Sequence, residues 1–96
     1  MAIIYCIKGI NNNYIYIGKS IQSINSRKSK HIYDSKKEHR IKPVHSIILA
    51  NGGFCNFEFK ILKIVDEIIL LSHYEKKIID DYKNNLEFML MNKQLL

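Results

Sequence analysis

The chain has little of several things that would narrow its class. Among its 96 residues there is one proline, two cysteines, two arginines and no run of 18 uncharged residues. Without such a run no membrane-spanning helix is expected. Met1 to Ile7 is too short an apolar stretch for a secretory leader, and Lys8 follows it on the wrong side. The expectation is an intracellular protein, in the cytoplasm or nucleus of a host cell, not secreted and without a membrane partner. Cys6 and Cys55 are far apart and show no CxxC or Cys-His spacing, which favours two free thiols in a reducing compartment over a disulfide. There is no internal repeat and no interdomain linker, so residues 1–96 are expected to form one domain, near the lower size limit for burying a core. An apolar content of 47% excludes a disordered tail.

Charge is present but uneven. Residues 1–60 hold ten Lys/Arg against three acids, a net of +7, whereas residues 61–96 hold five against six, a net of −1. Lys28, Lys30, Lys36, Lys37, Arg40 and Lys42 crowd the region of the first helix and the loop after it. Such a cluster suits contact with phosphates, and it equally suits a lysine-rich solubility face. Ile, Lys and Asn make up 40 of the 96 residues, a bias expected of AT-rich coding DNA such as that of a mobile element, phage or large DNA virus. The bias lowers the weight of each lysine and raises that of the scarce arginines.

Two β-branched, aromatic runs open the chain, Ile3-Ile4-Tyr5 and Tyr14-Ile15-Tyr16-Ile17-Gly18-Lys19-Ser20. With the turn Gly9-Ile10-Asn11-Asn12-Asn13 between them they read as a hairpin, strands at about 2–8 and 14–18. Alternation puts Tyr14 and Tyr16 on one face and Ile15 and Ile17 on the other. Gly18 is expected to end the second strand and allow a sharp turn. A helix follows at about 21–33, then a polar loop from Asp34 to Arg40. Pro43 suits the first turn of a second helix to about Asn51, stopped by Gly52-Gly53. Phe57, Phe59 and Ile61 alternate with Glu58 and Lys60 in a half-buried strand at 56–64. Glu67 to about Asn84 is helical in pattern, with Asp66 as N-cap; the tail, 85–96, has no assignable pattern. The expected architecture is α+β: a small three-stranded antiparallel sheet flanked by helices.

A few side chains stand out chemically. On the late helix Leu71, Glu75, Ile78 and Tyr82 share one stripe, which places a carboxylate among apolar neighbours. That position calls for a cation, either a metal or an arginine or lysine. Arg27 and His31, four residues apart, share a helix face with Ile24 and are expected to point at the sheet rather than at water. An arginine there can donate two hydrogen bonds to phosphate; a surface pair is the plainer reading. His31 could hold a nucleophile, orient a tyrosine or cap the helix. Tyr5, Tyr14 and Tyr16 could simply pack across strands. A tyrosine becomes a general base only when a nearby cation lowers its pKa, and Lys19 is a candidate supplier. His45 and His73 read as ordinary surface or partly packed residues.

Taken together, order and spacing make the chain resemble the GIY-YIG nuclease family over nearly its whole length. Ile3-Ile4-Tyr5 matches the first motif without its leading glycine, and Tyr16-Ile17-Gly18 matches the second in full. Arg27, His31, Glu75 and Asn92 match the family's arginine, histidine, metal-binding glutamate and late asparagine, and Leu49 to Gly53 followed by Phe57 to Leu62 is similar to its helix-turn-strand segment. The resemblance implies a DNA endonuclease that uses Mg²⁺ or Mn²⁺, one ion per site, and leaves 5′-phosphate and 3′-hydroxyl ends. It implies catalytic roles for Tyr5, Tyr16, Lys19, Arg27, His31 and Glu75, with Glu75 as metal ligand, one of the two tyrosines as base, and Gly18 and Asn92 in support. DNA contact would fall to Lys28, Lys30, Lys36, Lys37, His39, Arg40 and Lys42. No separate DNA-recognition domain is visible, so a further domain or protein could supply targeting. The alternatives are a catalytically inactive nucleic-acid-binding module on the same fold and a structural domain.

Overall fold

The first strand is apolar at nearly every position because it is buried from both sides. The structure, a computed structural model, describes residues 2–37 and 42–92. Strand β1 (Ala2–Gly9) lies between β2 (Tyr14–Ser20) and β3 (Phe57–Val65), antiparallel to both. Ala2 through Ile7 are each no more than 6% exposed. A central strand covered on both faces reads as a continuous apolar run instead of alternating.

The sheet has four strands, not three, in the order β3-β1-β2-β4. Strand β4 (Met89–Leu90) runs parallel to β2. It is held by backbone bonds, from Met89 N to the Asn13 carbonyl at 2.8 Å and from Met91 N to the Ile15 carbonyl at 2.6 Å. Two residues joined through their backbone leave no side-chain periodicity to read.

Helices cover each face. Helix α1 (Ile24–Ser35) and helix α2 (Pro43–Ala50) lie over the face that holds Ile3, Tyr5, Ile7 and Phe57, where Tyr14, Tyr16, Ile24 and Phe59 also pack. Helix α3 (Leu71–Lys83) covers the opposite face through Leu71, Tyr74, Ile78 and Tyr82, against Ile4, Cys6, Ile15 and Ile17. The expected division of Tyr14 and Tyr16 from Ile15 and Ile17 is therefore the one observed. Both cysteines are free, Cys6 buried and Cys55 exposed. Among the described residues no helix is long and apolar enough to cross a membrane.

Several boundaries and one register differ from expectation. Helix α1 begins at Ile24, not near residue 21, because the Ser20 hydroxyl closes a turn with the backbone of Gln22 (2.8 and 3.1 Å) and Ser23 caps the helix through the Ser26 N–H at 3.1 Å. Asp66 does not cap α3. A 3₁₀ turn (Ile68–Leu70) intervenes, and α3 starts at Leu71 without a side-chain cap. In β3 the pairing shifts between Ile4↔Lys63 and Tyr5↔Ile61, so Leu62 is an extra residue. Beyond it the alternation inverts: Val65 joins the α3 face, and the Lys63 amine lies 4.6 Å from the Tyr74 ring centre on α3. Gly52 and Gly53, at φ of +97° and +87°, end α2 as expected.

Gly18 does not end its strand. It sits inside β2 opposite Tyr5, outside the left-handed region, and a Cβ there would fall 2.4 Å from Tyr5 Cζ and 2.5 Å from its Oη. The glycine makes room for a fully buried ring. Gly18→Ala is expected to destabilise the fold by about 1–3 kcal/mol through overpacking, seen as a lower urea midpoint at unchanged slope. An unchanged midpoint would show that the ring moves aside freely.

Candidate active site

Tyr5 leaves the central strand toward α1 and α2, and the space over Gly18 lets its hydroxyl reach α1. There Oη lies 2.7 Å from His31 Nε2 and 3.5 Å from Arg27 Nη2. Arg27 and His31, one helical turn apart, both face the sheet as their spacing with Ile24 predicts. Tyr16 projects from β2 on the same side, its ring 6.4 Å from Tyr5 and 5.8 Å from His31. Phe59 stacks on Tyr5 at 6.4 Å and closes the cluster from β3. Arg27 Nε is buried without a hydrogen-bond partner among the described residues, so this guanidinium has donor capacity to spare beside the phenol.

Burial dominates the electrostatics. It pushes the Tyr5 phenol above its usual range while the Arg27 guanidinium, by hydrogen bond and charge, pulls it back. Tyr16 is raised to about 12 by burial, then by Tyr5 and Glu75, with Arg27 opposing. Burial likewise drives His31 down to about 3, helped by Arg27 and His45. His45 is lowered by burial and then by Lys42, against a raising influence from Asp34.

His31 is thus neutral when folded and charges once the chain unfolds at lower pH, and His45 is pushed the same way. Below the unfolded value of about 6.5 the unfolded chain binds more protons, so stability falls with pH. The unfolding free energy from urea titrations is expected to drop between pH 7 and pH 5, by up to about 1.4 kcal/mol per pH unit from His31, with His45 acting in the same direction. A flat profile over that window would mean that the two rings are not held neutral.

Glu75 approaches from α3. Its carboxylate is 3.7 Å from the Lys19 amine, which also donates to the Ser72 hydroxyl at 2.6 Å. Lys19 was expected to tune a tyrosine; it pairs instead with Glu75 and Ser72, and the cation beside Tyr5 is Arg27. Burial raises the Glu75 carboxyl and Lys19 lowers it. With a side chain 22% exposed, Glu75 has its ion pair yet still opens on a pocket of about 330 Å³ shared with Tyr16, Lys42 and Asn92. No cluster of three or more His, Cys, Asp or Glu occurs among the described residues. One carboxylate facing a roomy pocket open to solvent fits a hard divalent ion that keeps several of its waters.

Asn92 serves the backbone and not Glu75. Its side-chain oxygen accepts the Ile17 N–H and its amide donates to the Ile17 carbonyl, each at 2.7 Å. The amide extends the β4 pairing by one step and fixes the strand that carries Tyr16.

His45 was passed over as an ordinary residue but is fully buried, 2.9 Å through Nε2 from His31 Nδ1. Its place three residues before the buried Ile48 was a usable sign that it faces inward. His73 is exposed on α3. Of the basic cluster, Lys28 lies 5.7 Å over the Phe59 ring, Lys30 pairs with Asp34 at 3.3 Å and Lys37 covers Tyr33 at 4.9 Å. Lys36 is exposed, Lys42 lines the pocket, and His39 and Arg40 lie outside the described residues.

Fold and site together define a small α+β catalytic domain, with a hairpin that brings two tyrosines to an arginine on one side and a carboxylate on the other. The family model described as the GIY-YIG catalytic domain matches residues 1–89, and the chain belongs to that family: it is an endonuclease domain. The solved structure titled "Structure of the Catalytic Domain of Homing Endonuclease I-TevI" superposes with a TM-score of 0.70 at 21% identity, over 97% of this chain and 100% of that one. No curated protein matches the sequence significantly.

Proposed function

We propose that the domain hydrolyses phosphodiester bonds of DNA with Mg²⁺ or Mn²⁺, one ion per site, and leaves 5′-phosphate and 3′-hydroxyl ends. The observation that carries this reading is the meeting of Tyr5, Arg27 and His31 beside a pocket shared by Tyr16 and Glu75. Glu75 would hold the ion, which when bound supplies a positive charge that stabilises the leaving oxygen. Arg27 donates from its unpartnered Nε and its terminal nitrogens to the non-bridging phosphate oxygens, where charge grows at the pentacoordinate phosphorus. As the guanidinium moves onto the phosphate, the enclosed Tyr5 oxygen becomes reachable from the substrate side. Tyr5 then gives its own proton to solvent on that side and, as a phenolate steadied by the donors around its oxygen, takes a proton from the attacking water. Tyr16, with no such donors and a pKa pushed up to about 12, stays protonated and positions the water or phosphate in the pocket. Lys19 holds the Glu75 carboxylate in place.

Lys42 at the pocket and the lysines of α1 contact the flanking phosphates, and a further domain or partner protein supplies targeting. The direct test is a labelled duplex incubated with Mg²⁺ and analysed for its ends. Fragments that a ligase rejoins without end repair support the proposal, and binding should weaken steeply with salt. Salt-sensitive binding without cleavage in either metal would instead mark a binding module on this fold.

A further inference from the structure

Glu75 already has a cation beside it, yet the two groups do not hydrogen-bond. The Lys19 amine lies 3.7 Å from the Glu75 carboxylate, beyond hydrogen-bond reach. Its short bond, at 2.6 Å, goes to the Ser72 hydroxyl. Lys19 stands on β2 opposite Ile4, on the face that α3 covers. Ser72 and Glu75 are three residues apart on α3, so they are neighbours on one side of that helix. Strand and helix hold the ammonium near both groups, and it is moored on the neutral one.

At this distance the ammonium balances the charge of the carboxylate and leaves its lone pairs unfilled by lysine. Balance matters because only 22% of the Glu75 side chain is exposed, and a carboxylate without a counter-charge is costly in such a setting. Unfilled lone pairs matter because a hard divalent ion binds through oxygen. Lysine meets both demands. It is a compact point charge on a flexible stem, and with 42% of its side chain exposed it can swing into water. A partly exposed pair of this kind is weak and gives way easily.

We propose that Lys19 is a placeholder for the divalent ion: moored to Ser72, it balances Glu75 until the ion binds, and then gives the carboxylate up. Lys19 is a positioning residue in this arrangement, and Ser72 positions it in turn. The inference rests on the reading of Glu75 as the metal ligand. A lysine that only braced Glu75 would help the ion to bind, whereas a placeholder competes with it. The two cases predict opposite changes in metal affinity when the lysine charge is removed.

The test is a titration with Mn²⁺ in the absence of DNA, read as paramagnetic broadening of backbone amide NMR signals around Glu75. The same spectra show whether each variant is folded. Lys19→Met keeps the stem and drops the charge. It is expected to bind Mn²⁺ about fivefold more tightly, the effect in water of one unit charge about 4 Å away. Lys19→Arg keeps the charge and should not tighten binding. Lys8→Met is the control: Lys8 lies four residues along β1 from the partner of Lys19, roughly 13 Å away and beyond the Debye length of about 8 Å. It should leave the affinity unchanged. Ser72→Ala frees the ammonium to close on Glu75 and should weaken binding roughly two- to fivefold, the range of an exposed ion pair. Combined with Lys19→Met, it should have no further effect.

Equal or weaker binding by Lys19→Met would overturn the inference. So would a loss from Ser72→Ala that persists beside Lys19→Met, because Ser72 would then serve the ion directly. Glu75→Gln tells the failure of the inference from the failure of the site. If that variant shows the same broadening as the wild type, Glu75 is not the ligand and the inference falls with it. If broadening requires Glu75 and Lys19→Met does not tighten it, only the placeholder fails.

Discussion

Arg27→Ala is expected to lower the rate of DNA cleavage by about 100- to 1000-fold, the usual effect of removing one preorganised donor from a developing oxyanion. The guanidinium stands 3.5 Å from the Tyr5 hydroxyl, with a buried Nε that no acceptor among the described residues uses. It has few internal bonds to lose, so the variant should fold normally and still bind DNA through the lysines. Arg27→Lys should recover little of the loss, because a point charge does not reproduce the planar fork. Single-turnover rates at saturating DNA separate this from weaker binding. A variant whose deficit disappears at high DNA concentration would show that Arg27 serves binding and not the transition state.

Glu75→Gln is expected to be at least as damaging. The amide has the shape of the carboxylate and none of its charge, and a metal's share of charge stabilisation is several kcal/mol, roughly a thousandfold or more in rate. The Lys19–Glu75 pair is partly solvent-exposed, so losing it should alter stability by no more than about 1 kcal/mol. The combination sought is a near-wild-type melting curve with turnover absent in both Mg²⁺ and Mn²⁺. A large loss of stability together with retained turnover would reverse the assignment and make Glu75 a structural ion-pair partner.

The residues that were readable in the sequence are those that follow a period. Alternation separated Tyr16 from Ile15 and Ile17, and the spacing of Ile24, Arg27 and His31 turned α1 toward the sheet. The leading glycine of the first motif is absent, yet Ile3 packs normally in the core, so the departure does not disturb the strand. What was not readable depends on contacts between segments remote in sequence. Gly18 looked like a turn residue because nothing local announces that the Tyr5 ring, thirteen residues earlier, lies over it. Strand β4 is made by backbone pairing to the carbonyls of Asn13 and Ile15 and by the Asn92 amide, none of which leaves a pattern. Lys19 follows Gly18 directly and seemed close to the tyrosines, but alternation along β2 sends it toward Ser72 and Glu75 on α3. His45 was missed because a short helix of eight residues offers barely two turns over which to judge a face.

The measurement that bears most directly on this account is nicking of supercoiled plasmid in Mg²⁺ by the wild-type protein and by Glu75→Ala at equal concentration, with folding of both confirmed. The account predicts nicking by the wild type, its loss in EDTA and its absence in the variant. Equal nicking by both proteins would contradict it, since the metal would then not depend on Glu75. No nicking by either, with Mn²⁺ also tried, would contradict the proposed activity on this substrate.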